Sequence, residues 1–217
     1  MNRVNSPVAF RRTRVLLRVA GGLWVFAVGA GLVKMWDYEN TAGRRRPPPC
    51  TWPAESAIRG EAGRATLVLF AHPRCPCTRA SLGELALLMA RCQERVTAHV
   101  LFLRRAGGAA DWVKTDLWRN AAAIPGVEVS WDEDGVEARR FEAVTSGHAL
   151  LYDAAGRLRF NGGITGSRGH SGDNAGRSTI VAWLNNGEIG PTETSVFGCS
   201  LLDPEPPPQR AGSLCKP

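Results

Sequence analysis

The residues of this chain best suited to chemistry lie in His72-Pro73-Arg74-Cys75-Pro76-Cys77-Thr78-Arg79. Two thiols this close can exchange electrons with a disulfide, one attacking as the thiolate and the other releasing the mixed intermediate. Cys75 is read as the attacking sulfur and Cys77 as the resolving one. Pro76 stiffens the middle of the pair, and a disulfide closed across one residue is strained, so it is easily reduced. His72, Arg74 and Arg79 surround the thiols with positive potential. Cys199, in Val196-Phe197-Gly198-Cys199, is the alternative partner for Cys75 because it falls inside the folded limits.

Other readings use the same sulfurs. Two soft thiolates and one imidazole suit Cu(I), so a copper-delivery or assembly factor would use Cys75, Cys77 and either His148 or His170. A single attacking Cys75 with Thr78 and arginine nearby could instead reduce a peroxide through a sulfenic acid. A docking module whose cysteines only staple it is the non-enzymatic possibility.

These thiols need a rigid mount, and the flanking pattern supplies one. Residues 65–71 form a short apolar run, as expected of a strand covered on both faces. Leu82, Leu85, Leu88, Met89 and Cys92 then recur at helical spacing. The cysteine pair therefore lies between a strand exit and a helix N-terminus, where unpaired N–H groups and the helix dipole favour a thiolate. Ser81 and Glu84 also fit a capping box, which would start the regular helix after the pair and leave Cys75-Pro76-Cys77 on a loop.

Further along, strands are expected over 96–103, 127–131, 148–152 and 158–162, with helices over 111–124, 135–143 and 176–185. Asp153-Ala-Ala-Gly156 is a turn that makes the last two strands a hairpin. The order β-α-β-α-β-α-β-β-α calls for a mixed sheet with helices on both faces. In that arrangement the glycine-rich loop 163–176 returns toward Cys75. Asp132, Glu133 and Asp134 read as a solvated acidic turn, and His99 and Cys92 as structural residues of the interior. No phosphate-binding or nucleophilic-serine motif occurs.

The net charge of +7 resides in the N-terminal region: residues 1–46 hold nine Arg/Lys against Asp37 and Glu39, and the remainder is balanced. A neutral globular part is a poor nucleic-acid binder. A basic tail (1–14) precedes an apolar segment (15–36) whose fifteen uncharged residues 19–33 are extended by a snorkelling Arg18. That is long enough for a membrane anchor, and a cleaved signal peptide with secretion is the alternative. A Pro/Arg-rich linker (37–55) follows, then the compact domain (56–201) and a Pro-rich tail (202–217). Flanking charge does not fix the orientation. Six cysteines, an even number with one close pair, favour an oxidising compartment: a single-pass inner-membrane protein with its domain in the periplasm.

A strand, then Phe70-Ala71-x-x-Arg74-Cys75, then a helix resembles the active-site entry of thioredoxin-like redoxins. Residues 129–163, with Ser-Trp-Asp-Glu-Asp-Gly-Val-Glu-Ala-Arg-Arg-Phe and Leu-Leu-Tyr-Asp-Ala-Ala-Gly-Arg-Leu, resemble the membrane-tethered, peroxiredoxin- and TlpA-related branch. The resemblance covers about residues 56–190. His-Pro-x-Cys-Pro-Cys-x-Arg-Ala-Ser and Gly-Gly-Ile-Thr-x-Ser-Arg-Gly-His resemble its RedB-like subset. It implies an α/β, three-layer thioredoxin-like fold and a thiol–disulfide oxidoreductase that needs no cofactor and acts on protein thiols and disulfides. It also places Cys75 on the attacking position and Thr78 on the resolving one, so Cys77 is displaced by one residue. The loop that carries a cis-proline in the family matches Thr145-Ser146-Gly147-His148, where Gly147 or His148 must take its place.

Overall fold

Ala65–Ala71 becomes strand β1, and all seven of its residues are buried. In the computed structural model residues 7–202 are described, except 62, 93, 108, 109, 189 and 191 and the side chains of 7–10, 110 and 111. The N-terminal end of the basic tail and the proline-rich C-terminus with Cys215 lie outside them. Residues up to Asn40 and from Thr41 onward form separate units.

The elements of the second unit run β1, α2 (Pro76–Cys92), β2 (Val96–Arg104), α3 (Ala110–Val113), α4 (Asp116–Ala122), β3 (Val127–Glu133), α5 (Val136–Arg140), β4 (His148–Tyr152), β5 (Leu158–Gly163) and α6 (Ala175–Asn186). The sheet order is β3-β2-β1-β4-β5. β1 pairs parallel with β2 and antiparallel with β4, β2 pairs parallel with β3, and β4 and β5 form the expected hairpin. β1 is therefore central, with neighbours on both edges and helices on both faces.

Its alternating side chains divide two cores. Leu67, Leu69 and Ala71 pack with Leu82, Leu85, Leu88 and Met89 of α2, Leu117 of α4 and Ile180 of α6. Val68 and Phe70 pack on the opposite face with Ala138, Phe141, Leu150, Tyr152 and Leu201. Helix, mixed sheet and helix make the three layers expected.

Two local expectations are corrected. The helix expected over 111–124 is two short helices, because Thr115 is extended (ψ −179°) and restarts the chain as the N-cap of α4. The Thr115 hydroxyl donates to Pro73 O at 3.1 Å, so the break latches this region to the cysteine loop. Nor is the acidic turn solvated throughout. Asp132 is 3% exposed and accepts the N–H groups of Glu137 and Ala138, capping α5. A carboxylate in a turn is free of water only when such donors replace it.

Proline-rich residues 43–52 run along the domain: Gly43 N–H donates to Val196 O, and Leu158 N–H donates to Cys50 O. In the N-terminal unit, α1 spans Pro7–Asn40. It is one helix long and apolar enough to cross a membrane, as a membrane anchor or a signal segment would be.

Candidate thiol site

The cysteine pair is mounted on the helix. α2 starts at Pro76, not after Ser81, so Cys75 occupies the N-cap and Pro76 the first helical position. Proline fits there because its missing N–H would have had no partner within the helix. The next two N–H groups, of Cys77 and Thr78, lie near enough to the Cys75 sulfur to lower its pKa, and the Thr78 N–H donates to Cys75 O at 3.1 Å. The expected capping box does not form: Ser81 lies inside the helix, and Glu84 is buried against Arg177 and Asn174.

A second segment completes the site. Residues 192–201 lie as a strap along the edge of the domain: Asn161 N–H donates to Thr192 O, Ser146 N–H to Cys199 O and Leu201 N–H to Val144 O. The last two bonds flank an antiparallel bridge between Thr145 and Ser200. Gly198 permits this close approach, because a Cβ there would stand 1.9 Å from Ser146 O. Arg168 fastens the strap by donating to Gly198 O at 2.7 Å. Cys199 is thereby held beside Cys75, near enough that its thiol and its N–H both lower the Cys75 pKa.

Burial by itself pushes the Cys75 thiol up. Four donors oppose it, from the Cys199 thiol, the Cys199 N–H, the Thr78 N–H and the Cys77 N–H, and the net displacement is downward. Cys77 and Cys199 move the other way. Burial raises Cys77, assisted by the charge of Cys75, against the pull of Arg168 and the Gly169 N–H. Burial and donation to Cys75 push Cys199 up to about 12. One sulfur is displaced toward the thiolate and its two neighbours toward the thiol. All three are free cysteines, as is Cys92, whereas Cys50 is disulfide-bonded.

The loop matching the cis-proline position has a different solution. It contains no cis peptide, and none occurs among the described residues; Gly147 instead adopts φ 87° and donates its N–H to Phe70 O. Ser146 does the bracing. Its hydroxyl accepts from His72 N–H at 2.9 Å and lies 2.9 Å from the Thr78 hydroxyl. Thr78, which the resemblance puts at the resolving position, is thus a structural partner of the loop.

The remaining predicted site residues divide. His72 is half-buried, its Nδ1 accepts from Arg74 N–H and its ring meets Trp112 edge-on. Burial, followed by Arg105 and Arg74, lowers its pKa. Arg74 lies over Trp112 and Arg79 pairs with Asp116, so neither is the cation acting on the thiols. That cation is Arg168. It belongs to the Ser-Arg-Gly-His run, but the spacing of that run said nothing of its target. The glycine loop does return to the site, through Arg168 and Gly169. His148 does not join the thiols: it is fully buried, its Nε2 bonds Asn161 Oδ1 at 2.6 Å, and burial lowers it to about 4. His170 is exposed on the loop. Among the described residues no group of three or more His, Cys, Asp or Glu is arranged to hold a metal ion.

No family model and no curated protein matches the chain. Among solved structures it is similar to an uncharacterized conserved protein from Geobacillus kaustophilus, with 17% identity and a TM-score of 0.53 over 77% of this chain and 95% of that one. A hypothetical protein from Sinorhizobium meliloti 1021 gives 19% identity and a TM-score of 0.52 over 74% and 93%. A secreted disulfide oxidoreductase of Mycobacterium tuberculosis gives 15% identity and a TM-score of only 0.39 over 57% and 81%. At these identities the likeness concerns fold. The chain has a thioredoxin-like fold, and at the exit of its central strand three thiols converge.

Proposed function

We propose that this protein is a thiol–disulfide oxidoreductase of the RedB-like kind, anchored in the inner membrane with its domain in the periplasm. Cys75 is the nucleophile of the exchange and, in the reverse direction, its leaving group. Cys77, two residues on in the first turn of α2, and Cys199 on the strap are the thiols placed to resolve it. Client proteins provide the other thiols or disulfides, and no cofactor takes part.

One observation carries this reading: Cys75 sits at the N-terminus of α2 beside Cys77, with Cys199 fixed next to it on the strap, and the net displacement of its thiol is downward. Thiolate character and a neighbouring thiol are the two requirements of exchange. The apolar helix α1 and the disulfide at Cys50 support an anchored protein in an oxidising compartment.

The test is redox titration of the detergent-solubilised chain in glutathione buffers, with alkylation of free thiols and mass spectrometry. Cys75 is expected to pass between thiol and disulfide within the range of such buffers. A Cys75 that stays reduced under every poise overturns the reading.

A further inference from the structure

We propose that Cys199 is the client-facing sulfur of this site, and that the working disulfide is Cys75–Cys199, which oxidises client dithiols. The inference rests on the reading of the site as a thiol–disulfide exchanger and gives that exchange a route and a direction.

Access separates the three sulfurs. Cys75 is 1% and Cys77 6% exposed, whereas Cys199 is partly exposed on the outer strap. Thiol exchange needs an approach to the sulfur under attack, and Cys75 offers none while the strap is seated. The strap is held there by main-chain bonds at Val144, Ser146 and Asn161, by the Arg168–Gly198 bond and by Leu201 in the core. A client peptide has no comparable route to the inner sulfur. Cys199, by contrast, is positioned by its own backbone against Cys75 on one side and open to solvent on the other.

The chemistry then has one economical order. In the oxidised protein the Cys75–Cys199 bond is attacked at Sγ of Cys199 by a client thiolate. The S–S bond breaks, and its electron pair leaves on Cys75, where the N-terminus of α2 favours the thiolate. The client is now joined to Cys199 as a mixed disulfide. A second client thiolate attacks the client sulfur of that bond, and Cys199 departs and takes up a proton. The client loses two electrons and becomes a disulfide, while the protein gains them as the Cys75 thiolate and the Cys199 thiol. Of the two client protons, one stays on Cys199 and one goes to solvent. The protein disulfide is restored by the same exchanges in reverse with a small-molecule disulfide such as oxidised glutathione.

Reduced full-length protein in detergent is titrated with oxidised glutathione, alkylated, digested and sequenced by fragmentation, so that Cys75 and Cys77 are told apart. The expected products are a Cys75–Cys199 cross-link and a glutathione adduct on Cys199. A Cys75–Cys77 disulfide, or an adduct confined to Cys75, overturns this inference and leaves exchange at the site standing. Absence of any disulfide among the three sulfurs overturns both. In addition, oxidation of a reduced dithiol peptide by the preoxidised protein is expected to be lost in Cys199→Ser, and oxidation undiminished in that variant overturns the proposal.

Discussion

Helix α2 has a buried cysteine at each end, and the two thiols are perturbed in opposite directions. Cys75 precedes the first turn at 1% exposure, and Cys92 closes the last at 3%. Burial is therefore nearly equal, yet Cys75 is lowered and Cys92 raised. Donors make the difference. The strap brings the Cys199 thiol and N–H to Cys75, and the N-terminal end of the helix adds the N–H groups of Thr78 and Cys77. At the other end Cys92 has only the Asn185 side chain, at 3.8 Å, followed by Arg95 and Arg91 to lower it, and burial prevails over all three. The strap's Cys199, ahead of the N–H groups at the helix start, thus separates the sulfur prepared for exchange from the one that fills the interior.

Exchanging the two ends by mutation should give the largest effect. Cys75→Ser is expected to abolish the internal disulfide that forms in glutathione buffer, whereas Cys92→Ser leaves it in place, both read by mass-resolved alkylation. Loss in Cys92→Ser with the fold intact would show that the distant sulfur participates. A smaller effect is expected from Ser146→Ala, which removes the acceptor of His72 N–H and the partner of the Thr78 hydroxyl. Stranding such buried groups costs about 1–3 kcal/mol, measurable as a lower urea midpoint.

The opposed shifts also give stability an opposed pH dependence. A lowered Cys75 contributes stability that is complete above the ordinary thiol pKa and is lost as pH falls through its folded value. The raised Cys199 contributes stability present below 9.0 and lost as pH rises through about 12. Each unit of difference between folded and unfolded pKa is worth about 1.4 kcal/mol. Unfolding midpoints of the reduced protein at neutral and alkaline pH, compared between wild type and Cys199→Ser, isolate the second contribution: the variant should lose less stability on the alkaline side. The smallest effect expected is that of Arg168→Gln, which removes a cation that lowers both Cys77 and Cys199. Their titrations should move further upward, while Cys92 stays where it is.

Much of the frame was legible because periodicity reports on burial. The apolar run of β1 and the spacing of Leu82, Leu85, Leu88 and Cys92 gave the central strand and its helix, and Gly156 gave the hairpin turn. Cys75, Cys77 and Cys199 could be named as candidates from the sequence. The convergence of Cys199 on Cys75 could not be read, because the strap has no period of its own. It is placed by main-chain pairing with residues 144–146 and by the missing side chain of Gly198. His148 was misread for a related reason. A histidine at a strand edge resembles a ligand, but in a fully buried strand its ring is satisfied by Asn161 on the adjacent strand, thirteen residues away in sequence. Asp132 resembled a solvated charge until the helix it caps was in place. Polar residues whose partners are backbone groups leave no pattern in composition.

The most direct test of the central claim is the ultraviolet absorbance of the thiolate across pH in the reduced protein, taken as the difference between wild type and Cys75→Ser. A single sulfur ionising below the ordinary thiol range, missing from the variant, is the predicted result. A difference that appears only at or above the ordinary range would contradict the account, because Cys75 would then be no better prepared than Cys92.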